Sequence, residues 1–323
     1  MKTFLLTEQP ELARLNAVIE DKLRSQVPLV EEIGEHLIAA GGKRLRPLMT
    51  ILSARALAAG STPMPQIYPL AAVIEFLHTA TLLHDDVIDV SNMRRGQPTA
   101  NATWGNASSV LVGDFLYSRA FQMLVEIDNN AVMAELANTT NLIAEGEVLQ
   151  LVQAGKADTN EQQYLQIIEY KTARLFEAAA RCGAMLSNAP PSLVDALARY
   201  GHSLGMAFQL MDDYLDYAGD AALMGKNVGD DLAEGKPTLP LIKAMQLAPK
   251  AQAEQIRAAI TLKSADELES VSETVRGCGA LHYTLEVAQQ FTTKAQQSLE
   301  TLADSDTKRK LLRLAELAVA REA

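Results

Sequence analysis

Two short acidic motifs contain the residues whose types and spacing are best suited to chemistry. The motifs read DDVID and DDYLD, and their carboxylates are Asp85, Asp86 and Asp89 in the first and Asp212, Asp213 and Asp216 in the second. Residues four positions apart on a helix project from one face, so the outer carboxylates of each motif converge. Converging carboxylates suit Mg²⁺, a hard cation that takes its remaining ligands from water and from substrate phosphates. Each motif is therefore predicted to bind magnesium.

A solvated acidic helix face is the alternative interpretation of either motif taken alone, because charged residues are mostly exposed. The second motif, however, lies among apolar residues, namely Phe208, Leu210, Met211, Tyr214, Leu215 and Tyr217. A buried carboxylate without a partner costs several kcal/mol, and a bound divalent cation offsets that cost. The recurrence of the motif in an apolar segment favours a metal site.

Basic side chains accompany both motifs and predict that phosphate groups bind nearby. Arg94 and Arg95 follow the first motif, and Lys226 and Lys236 follow the second in a glycine-rich stretch. A third cluster, GGKRLRP at 41–47, opens a helix, and its adjacent glycines let backbone N–H groups approach an oxyanion. Taken singly, each cluster is typical of ordinary surface charge. Their placement around two acidic motifs favours an anionic substrate bound through metal ions.

Helices must carry these motifs, because apolar residues recur at helical spacing almost throughout the chain. Ile67, Leu70, Ala71, Ile74 and Leu77 form one such stripe, which runs toward the first motif. Proline and glycine clusters separate runs of helical length, and the alternation typical of strands is almost absent. The pattern predicts an all-α fold of roughly a dozen helices, with a central bundle wrapped by others. No linker or repeat interrupts the pattern, so a single domain over residues 1–323 is predicted.

The composition restricts the classes of partner and compartment. The formal net charge is −11, so the surface repels a nucleic-acid backbone and no nucleic-acid binding is expected. The two cysteines, Cys182 and Cys278, are far apart and predict buried thiols rather than a zinc site or a disulfide. The longest apolar stretch, residues 70–83, contains Glu75 and His78 and is too short for a membrane span. We expect a cytoplasmic protein without a transmembrane segment.

Several segments, in order from residue 41 to residue 240, resemble the trans-isoprenyl (polyprenyl) diphosphate synthases. They are GGKRLRP at 41–47, EFLHTATLLHDDVIDVSNMRRGQPT at 75–99, the pair Lys171-Thr172, and GMAFQLMDDYLDY with GKNVGDDLAEGKPTLP at 205–240. The sequence as a whole is most similar to the bacterial octaprenyl diphosphate synthases, which supply quinone side chains. The resemblance implies an all-α isoprenoid synthase fold around a central apolar cavity. It also implies a homodimer and two acidic motifs that face each other across that cavity.

The resemblance further implies a role for each motif residue. The six aspartates would hold three Mg²⁺ ions. The contacts to the allylic diphosphate would come from Arg94, Lys171, Thr172, Gln209, Lys226 and Lys236, and those to isopentenyl diphosphate from Lys43, Arg46, His78 and Arg95. His78 lies two turns before Asp85 on the same helix face, which is compatible with this role. The alternative for His78 is a core histidine with its hydrogen bonds satisfied.

The implied reaction is the condensation of isopentenyl diphosphate onto an allylic, farnesyl-type diphosphate. Metal ions and basic side chains stabilise the departing pyrophosphate, so that the allylic C–O bond ionises to a carbocation. The double bond of isopentenyl diphosphate attacks this carbocation, and loss of a proton to the released pyrophosphate completes one addition. We expect the long all-trans product to be delivered to a membrane.

Small residues before the first motif predict a long product. The resembling short-chain enzymes have a bulky aromatic four or five residues before the motif, whereas this chain has Thr81 and Ala80 there. Helical rise puts these residues roughly 6 to 8 Å from Asp85, where a growing apolar tail would pass. Because tunnel volume limits growth, we predict about six to ten isoprene units, with octaprenyl favoured. Candidates for the tunnel floor, with ordinary core packing as the alternative, are Phe121, Met123 and Met133.

Two other functions are compatible with parts of this pattern. A class I terpene cyclase shares the fold and the first acidic motif, but it normally carries an Asn/Ser/Glu motif in place of the second and does not need the 41–47 cluster. A noncatalytic regulatory subunit of a heteromeric prenyl synthase is the second alternative. Such subunits usually lose one or both acidic motifs, and this chain has both.

Overall fold

Helices make up nearly all of the described structure. The computed structural model describes residues 1–39, 42–58, 64–94, 96–218 and 229–320. The α-helices are α1 (Lys2–Thr7), α2 (Gln9–Leu23), α3 (Pro28–Ala39), α4 (Leu45–Leu57), α5 (Ile67–Ile88), α6 (Ala100–Trp104), α7 (Asn106–Ile127), α8 (Asn130–Gln153), α9 (Glu161–Ile168), α10 (Arg174–Leu186), α11 (Pro191–Ala218), α12 (Asp230–Ala233), α13 (Leu239–Leu247), α14 (Lys250–Leu262), α15 (Leu268–Gly277), α16 (Ala280–Ser298) and α17 (Asp306–Val319). A π-helix, Glu169–Ala173, lies between α9 and α10, and the strands β1 (Met93–Arg94) and β2 (Gln97–Pro98) form an antiparallel pair.

The predicted all-α class is confirmed, although the helices are more numerous than predicted. The described residues contain seventeen α-helices, against the predicted dozen. Much of the excess comes from short elements, since α1, α6 and α12 have six, five and four residues. Elements of this length do not show a repeated apolar period, which is the signal on which the prediction depended.

The chain forms two compact units. Unit 1 comprises Met1–Thr140, Leu175–Gly201 and Ser298–Leu311, and unit 2 comprises Asn141–Arg174, His202–Gln297 and Leu312–Ala323. The first acidic motif belongs to unit 1 and the second to unit 2. The assignment of residues 1–323 to one domain stays a prediction.

Helix α5 is the central helix of unit 1 and packs against α2, α4 and α7. Its residues from Leu70 to Leu77 are all buried, which explains why the sequence is apolar there without a polar face. Each fully buried Leu, Ile or Phe contributes about 1.5 to 3 kcal/mol relative to its exposed state. The burial of α5 on all sides therefore fixes the helix that carries the first acidic motif.

Helix α5 also corrects the expectation that no segment is long enough to span a membrane. Among the described residues this helix, with 22 residues, has the length and composition of a span. Most of its apolar part is buried inside the protein, and the helix carries Glu75, Asp85 and Asp86. The physical reason for its apolar character is burial in the core of unit 1.

Unit 2 has two apolar clusters that hold the helix of the second motif. One cluster joins Tyr217 of α11 to residues of α13, α14 and α15, including Leu241, Ile256 and Val271. The other joins Leu210 and Met211 of α11 to residues of α9, α13 and α16. Helix α11 is therefore anchored by apolar side chains immediately before and after the second motif.

Candidate active site

The first acidic motif occupies the last turn of α5 and the residue that caps it. Asp85 and Asp89 are half-buried, and the Asp89 backbone N–H donates to the Asp85 carbonyl oxygen at 2.8 Å. Both outer residues therefore lie on one helical turn, as predicted, and their side chains keep some access to solvent. Two carboxylates on one turn can share a cation whose other ligands come from water or phosphate.

The middle residue of this motif, Asp86, has a different environment. Its side chain is 3% exposed and accepts a two-pronged ion pair from Arg94, with Nε–Oδ1 and terminal-nitrogen–Oδ1 distances of 2.9 and 2.6 Å. Charge-assisted hydrogen bonds from two nitrogens of one guanidinium restrict both side chains. Arg94 lies on β1, so the ion pair fastens the two-stranded hairpin to the end of α5. A metal role for Asp86 and a diphosphate role for Arg94 were predicted separately, and the structure joins the two side chains.

A second group in unit 1 contains predicted residues for isopentenyl diphosphate. A terminal nitrogen of Arg46 lies 3.2 Å from Nε2 of His78, and the Arg46 guanidinium lies over the Phe176 ring at 4.2 Å from its centroid. Lys43 is exposed in the same basic segment. The structure therefore brings together Arg46 of α4 and His78 of α5, whereas Gly41 and Arg95 lie outside the described residues.

The second acidic motif lies within α11, and its middle residue is again held by the protein. Asp213 is 4% exposed and accepts hydrogen bonds from the Tyr164 hydroxyl at 2.6 Å and the Gln209 amide at 2.8 Å. Burial raises the pKa of Asp213 to about 8, and the nearby carboxylate of Asp231 adds to the increase. A bound cation reverses this effect, because positive charge favours the ionised carboxylate. Asp212 is half-buried, and Asp216 accepts from the Gly229 backbone N–H at 3.3 Å.

The pair Lys171-Thr172 lies in the π-helix, whose wider turn is a common feature of functional sites. The Thr172 hydroxyl donates to Gln209 Oε1 at 2.9 Å, and the Lys171 ammonium donates to Glu147 at 2.6 Å and to Gln150 at 2.8 Å. A side chain at Gly146 would place its Cβ 2.7 Å from the Lys171 backbone nitrogen, so glycine allows α8 to approach this turn. Two predicted allylic contacts, Thr172 and Gln209, are thus linked by hydrogen bonds to Asp213 within unit 2, whereas the Lys171 ammonium is paired with α8.

The last predicted basic residues follow the second motif. Lys236 forms an ion pair with Glu234, and its backbone N–H donates to the Asp231 carbonyl oxygen at 2.8 Å. Lys226 lies outside the described residues. The structure thus describes one of the two lysines assigned to this stretch.

Two residues of the site in unit 2 were missed at the sequence level. Tyr164 is 49 positions before Asp213 and gives no local signal, because a tyrosine in an apolar helix is most often a core residue. Burial raises the pKa values of both Asp213 and Tyr164, and the nearby carboxylate of Asp231 adds to the increase at each. The doublet Asp230-Asp231 directly after Gly229 is a carboxylate pair that the sequence did offer.

Comparisons with known proteins identify the family. Residues 27–277 match the family model described as Polyprenyl synthetase. The chain belongs to this polyprenyl synthetase family. The octaprenyl diphosphate synthase of Escherichia coli (strain K12) is 48% identical over 318 residues, which cover 98% of this chain and 97% of the relative. An all-trans-nonaprenyl-diphosphate synthase (geranyl-diphosphate specific) of Rhodobacter capsulatus is 47% identical over 96% of this chain and 95% of its own length.

Solved structures agree with this assignment. A polyprenyl synthase from Caulobacter crescentus CB15, complexed with calcium and isoprenyl diphosphate, superimposes with a TM-score of 0.94 at 43% identity, covering 99% of this chain and 97% of that one. The heptaprenyl diphosphate synthase of Staphylococcus aureus superimposes with a TM-score of 0.93 at 30% identity, covering 98% of each chain. The predicted family, the all-α fold and the prenyltransferase class of this polyprenyl synthetase are therefore confirmed.

The outer carboxylates of the first motif in this polyprenyl synthetase are suited to magnesium. Within the described ranges, no group of three or more His, Cys, Asp and Glu side chains is arranged to hold a metal. Mg²⁺ is commonly bound through one or two carboxylates, with waters and substrate phosphates as its other ligands. The pair Asp85 and Asp89 matches that requirement.

The predicted chain-length residues of the polyprenyl synthetase lie in unit 1. Ala80 has no exposed surface, Thr81 is half-buried, and Met123 of α7 is 1% exposed. The Thr81 hydroxyl donates to the His78 carbonyl oxygen at 2.8 Å, so it is satisfied by its own helix. The role of these three residues in product length stays a prediction.

Replacing Tyr164 by Phe is expected to raise the Mg²⁺ concentration needed for half-maximal activity by about 10- to 100-fold. Loss of a side chain that orients a metal-site residue typically costs this much in metal affinity or activity. Tyr200→Phe is the matched control, because the Tyr200 hydroxyl is also buried and donates to a protein acceptor, the Leu311 carbonyl oxygen, at 2.8 Å. Both variants should be less stable, but only Tyr164→Phe should change a Mg²⁺ titration of activity. An equal Mg²⁺ requirement in the two variants would contradict the role given to Tyr164.

Proposed function

We propose that this polyprenyl synthetase condenses isopentenyl diphosphate onto an allylic, farnesyl-type diphosphate and makes a long all-trans polyprenyl diphosphate, with octaprenyl as the main product. The observation that carries the proposal is the recurrence of one arrangement at both acidic motifs. In each, the middle carboxylate is held by protein donors, and the motif lies beside residues suited to diphosphate. The identity with octaprenyl and nonaprenyl synthases over nearly the whole chain supports a long product.

The residues of the chain have separate tasks in this reaction. Arg46, His78 and Lys43 would bind the diphosphate of isopentenyl diphosphate and orient its double bond. Lys171, Thr172 and Gln209 would bind the allylic diphosphate. Fixed donors aimed at a departing pyrophosphate favour the transition state, because they need no rearrangement as negative charge develops. The carbocation that remains is attacked by the double bond, and the released pyrophosphate accepts the proton.

Magnesium would be held by the six aspartates of the two motifs, Asp85, Asp86 and Asp89 in unit 1 and Asp212, Asp213 and Asp216 in unit 2. When bound, it supplies positive charge that neutralises the diphosphate as the C–O bond breaks. We propose three ions for each active site. The crystallised relative from Caulobacter crescentus, with calcium and isoprenyl diphosphate, supports a site for divalent cations in this family.

We also propose that the enzyme is a homodimer in the cytoplasm, that it delivers its product to the membrane, and that the product becomes a quinone side chain. The proposal of a homodimer rests on the resemblance to the polyprenyl diphosphate synthases. The proposed partner is a second copy of this chain.

Product analysis tests the proposed function. The purified protein is incubated with isopentenyl diphosphate, farnesyl diphosphate and Mg²⁺, and the dephosphorylated product is sized by mass spectrometry. Polyprenols centred on eight isoprene units are expected. A cyclic hydrocarbon formed without consumption of isopentenyl diphosphate would support a terpene cyclase. Absence of any turnover would support a noncatalytic subunit, and either result would overturn the proposal.

A further inference from the structure

Two polar contacts join the start of α4 to α5. Arg44 forms an ion pair with Glu75, and Arg46 contacts Nε2 of His78 at 3.2 Å. Glu75 and His78 are three positions apart on α5, so their side chains leave the same face of the helix. Arg44 and Arg46 meet them from the segment that precedes and opens α4. The Arg44–Glu75 ion pair and the Arg46–His78 contact therefore lie next to each other and connect the start of α4 to α5.

The Arg44 side chain is turned into the protein rather than toward a ligand. The side chains of Arg44 and Glu75 are only 10% and 8% exposed. Both residues line a cavity whose other walls are mainly apolar and come from α2, α3, α5 and α7, including Ile19, Leu23 and Leu116. Because Glu75 neutralises it in this apolar setting, the Arg44 guanidinium is not offered to an anionic substrate.

The backbone of Arg44 supports the same conclusion. Arg44 caps the N-terminus of α4 in the left-handed conformation, with φ of 47°. Residues other than glycine rarely adopt this conformation, and they keep it when the surrounding structure determines it. The buried ion pair with Glu75 holds Arg44 in this conformation. Lys43, immediately before it, is exposed, and Arg46, two residues after it, reaches His78.

We propose that Arg44 and Glu75 are a positioning pair that sets Lys43 and Arg46 for the diphosphate of isopentenyl diphosphate. The inference rests on the proposed function, because it deepens the assignment of that subsite. Neither side chain touches the substrate. Their ion pair holds the backbone of the basic segment, and the direction of Lys43 and Arg46 follows from it.

Steady-state kinetics of Glu75→Gln test the pair. The KM for isopentenyl diphosphate is expected to rise by about 10- to 100-fold, because small displacements of binding groups have effects of this size. The KM for the allylic substrate is expected to stay within about twofold, since Arg44 and Glu75 do not hold the residues assigned to that diphosphate. An unchanged KM for isopentenyl diphosphate would overturn the inference.

Glu11→Gln is the matched control. Glu11 forms an ion pair at 2.6 Å with Arg55, which lies near the opposite end of α4 within unit 1. Its loss should lower the melting temperature without changing the KM for either substrate. A similar rise in KM for isopentenyl diphosphate in Glu11→Gln would show that general destabilisation causes the effect, and would overturn the inference.

The double variant Arg44→Met/Glu75→Met separates positioning from stability. Replacing both partners of a buried ion pair by apolar residues is often neutral or stabilising, because no uncompensated charge remains. The melting temperature should therefore return close to that of the wild type, while the KM for isopentenyl diphosphate stays raised. Recovery of the KM together with the melting temperature would show a purely structural pair and overturn the inference.

Calorimetry measures the binding of isopentenyl diphosphate in the absence of an allylic substrate. Because this measurement does not require turnover, it tests the positioning pair separately from the proposed function. Weaker binding to Glu75→Gln than to the wild type supports the positioning pair even if the wild type produces no polyprenol. In that case only the proposed function fails. An active wild type whose binding and KM are unaffected by Glu75→Gln would refute the positioning pair and leave the proposed function standing.

Discussion

Replacing Asp85 by Asn is expected to lower kcat by about a thousandfold, because metal stabilisation of a departing charge is worth several kcal/mol and about 4 kcal/mol corresponds to that factor. Asparagine has nearly the size of aspartate, so the helix should be retained. What the variant loses is the negative charge that a divalent cation requires. Single-turnover kinetics with saturating substrates and a Mg²⁺ titration would measure the effect.

The neighbouring carboxylate Asp114 provides the control for Asp85→Asn. Asp114 is exposed on α7 in the same unit and lies 3.4 Å from Nε2 of His84. Asp114→Asn removes the same charge from a position without a predicted metal role, and its kcat should stay close to that of the wild type. An equal decrease of kcat in the two variants would show that the loss of a negative charge in this unit, rather than the loss of metal binding at Asp85, lowers the rate.

Asp86 shows the limit of what the spacing of the first motif could predict. Helical geometry correctly placed Asp85 and Asp89 on one turn, because residues four apart share a face in any α-helix. The partner of Asp86 depends on a hairpin that returns Arg94 to the end of α5. No periodic signal in the sequence encodes that return, so two residues given separate roles were not expected to meet.

The second motif also has partners that its spacing could not predict, and these partners are farther away in the sequence. The sequence identified Lys171, Thr172 and Gln209 by resemblance, and hydrogen bonds link Thr172 and Gln209 to Asp213. The π-helix around Lys171 could not be predicted, since its single wider turn leaves the apolar spacing of the neighbouring helices almost unchanged. Tyr164 was missed because a contact between residues far apart in sequence depends on tertiary packing.

Predictions from the apolar pattern of the sequence were most reliable for helices that are buried in the core. The continuous apolar stretch of α5 predicted a core helix that carries the first motif, and its residues from Leu70 to Leu77 are indeed buried. The apolar stretch that was compared with a membrane span, residues 70–83, is shorter than this helix, because the helix begins at Ile67 and continues into the acidic motif to Ile88.

Thr81→Phe is expected to shorten the main product by several isoprene units. Thr81 lies one helical turn before Asp85, roughly 6 Å along the axis. The diphosphate end of the substrate is proposed to be fixed near Asp85, so a phenyl ring at Thr81 would meet the apolar tail soon after it leaves that site. Each further isoprene unit gains about 4 kcal/mol only if its five carbons can be buried. A blocked tail loses that gain, and release becomes faster than the next addition.

Thr81 is a better test position than Ala80 because of its burial. Ala80 has no exposed surface, so Phe there must displace core atoms at a cost of about 1 to 3 kcal/mol. Thr81 is half-buried, and a larger side chain can extend from it with less displacement. Ala80→Phe should therefore shorten the product and lower the melting temperature, whereas Thr81→Phe should mainly shorten the product.

Thr293→Phe is the control for Thr81→Phe, because it makes the same Thr-to-Phe replacement on a different helix. Thr293 is exposed on α16, and its hydroxyl donates to the Gln289 carbonyl oxygen at 3.0 Å, so it too is satisfied by its own helix. The same Thr-to-Phe change there should leave the product distribution unaltered. Mass spectrometry of the dephosphorylated products compares the variants directly. If Thr81→Phe and Ala80→Phe both retain the wild-type length, the growing tail does not pass this turn of α5, and product length must be set elsewhere in the protein.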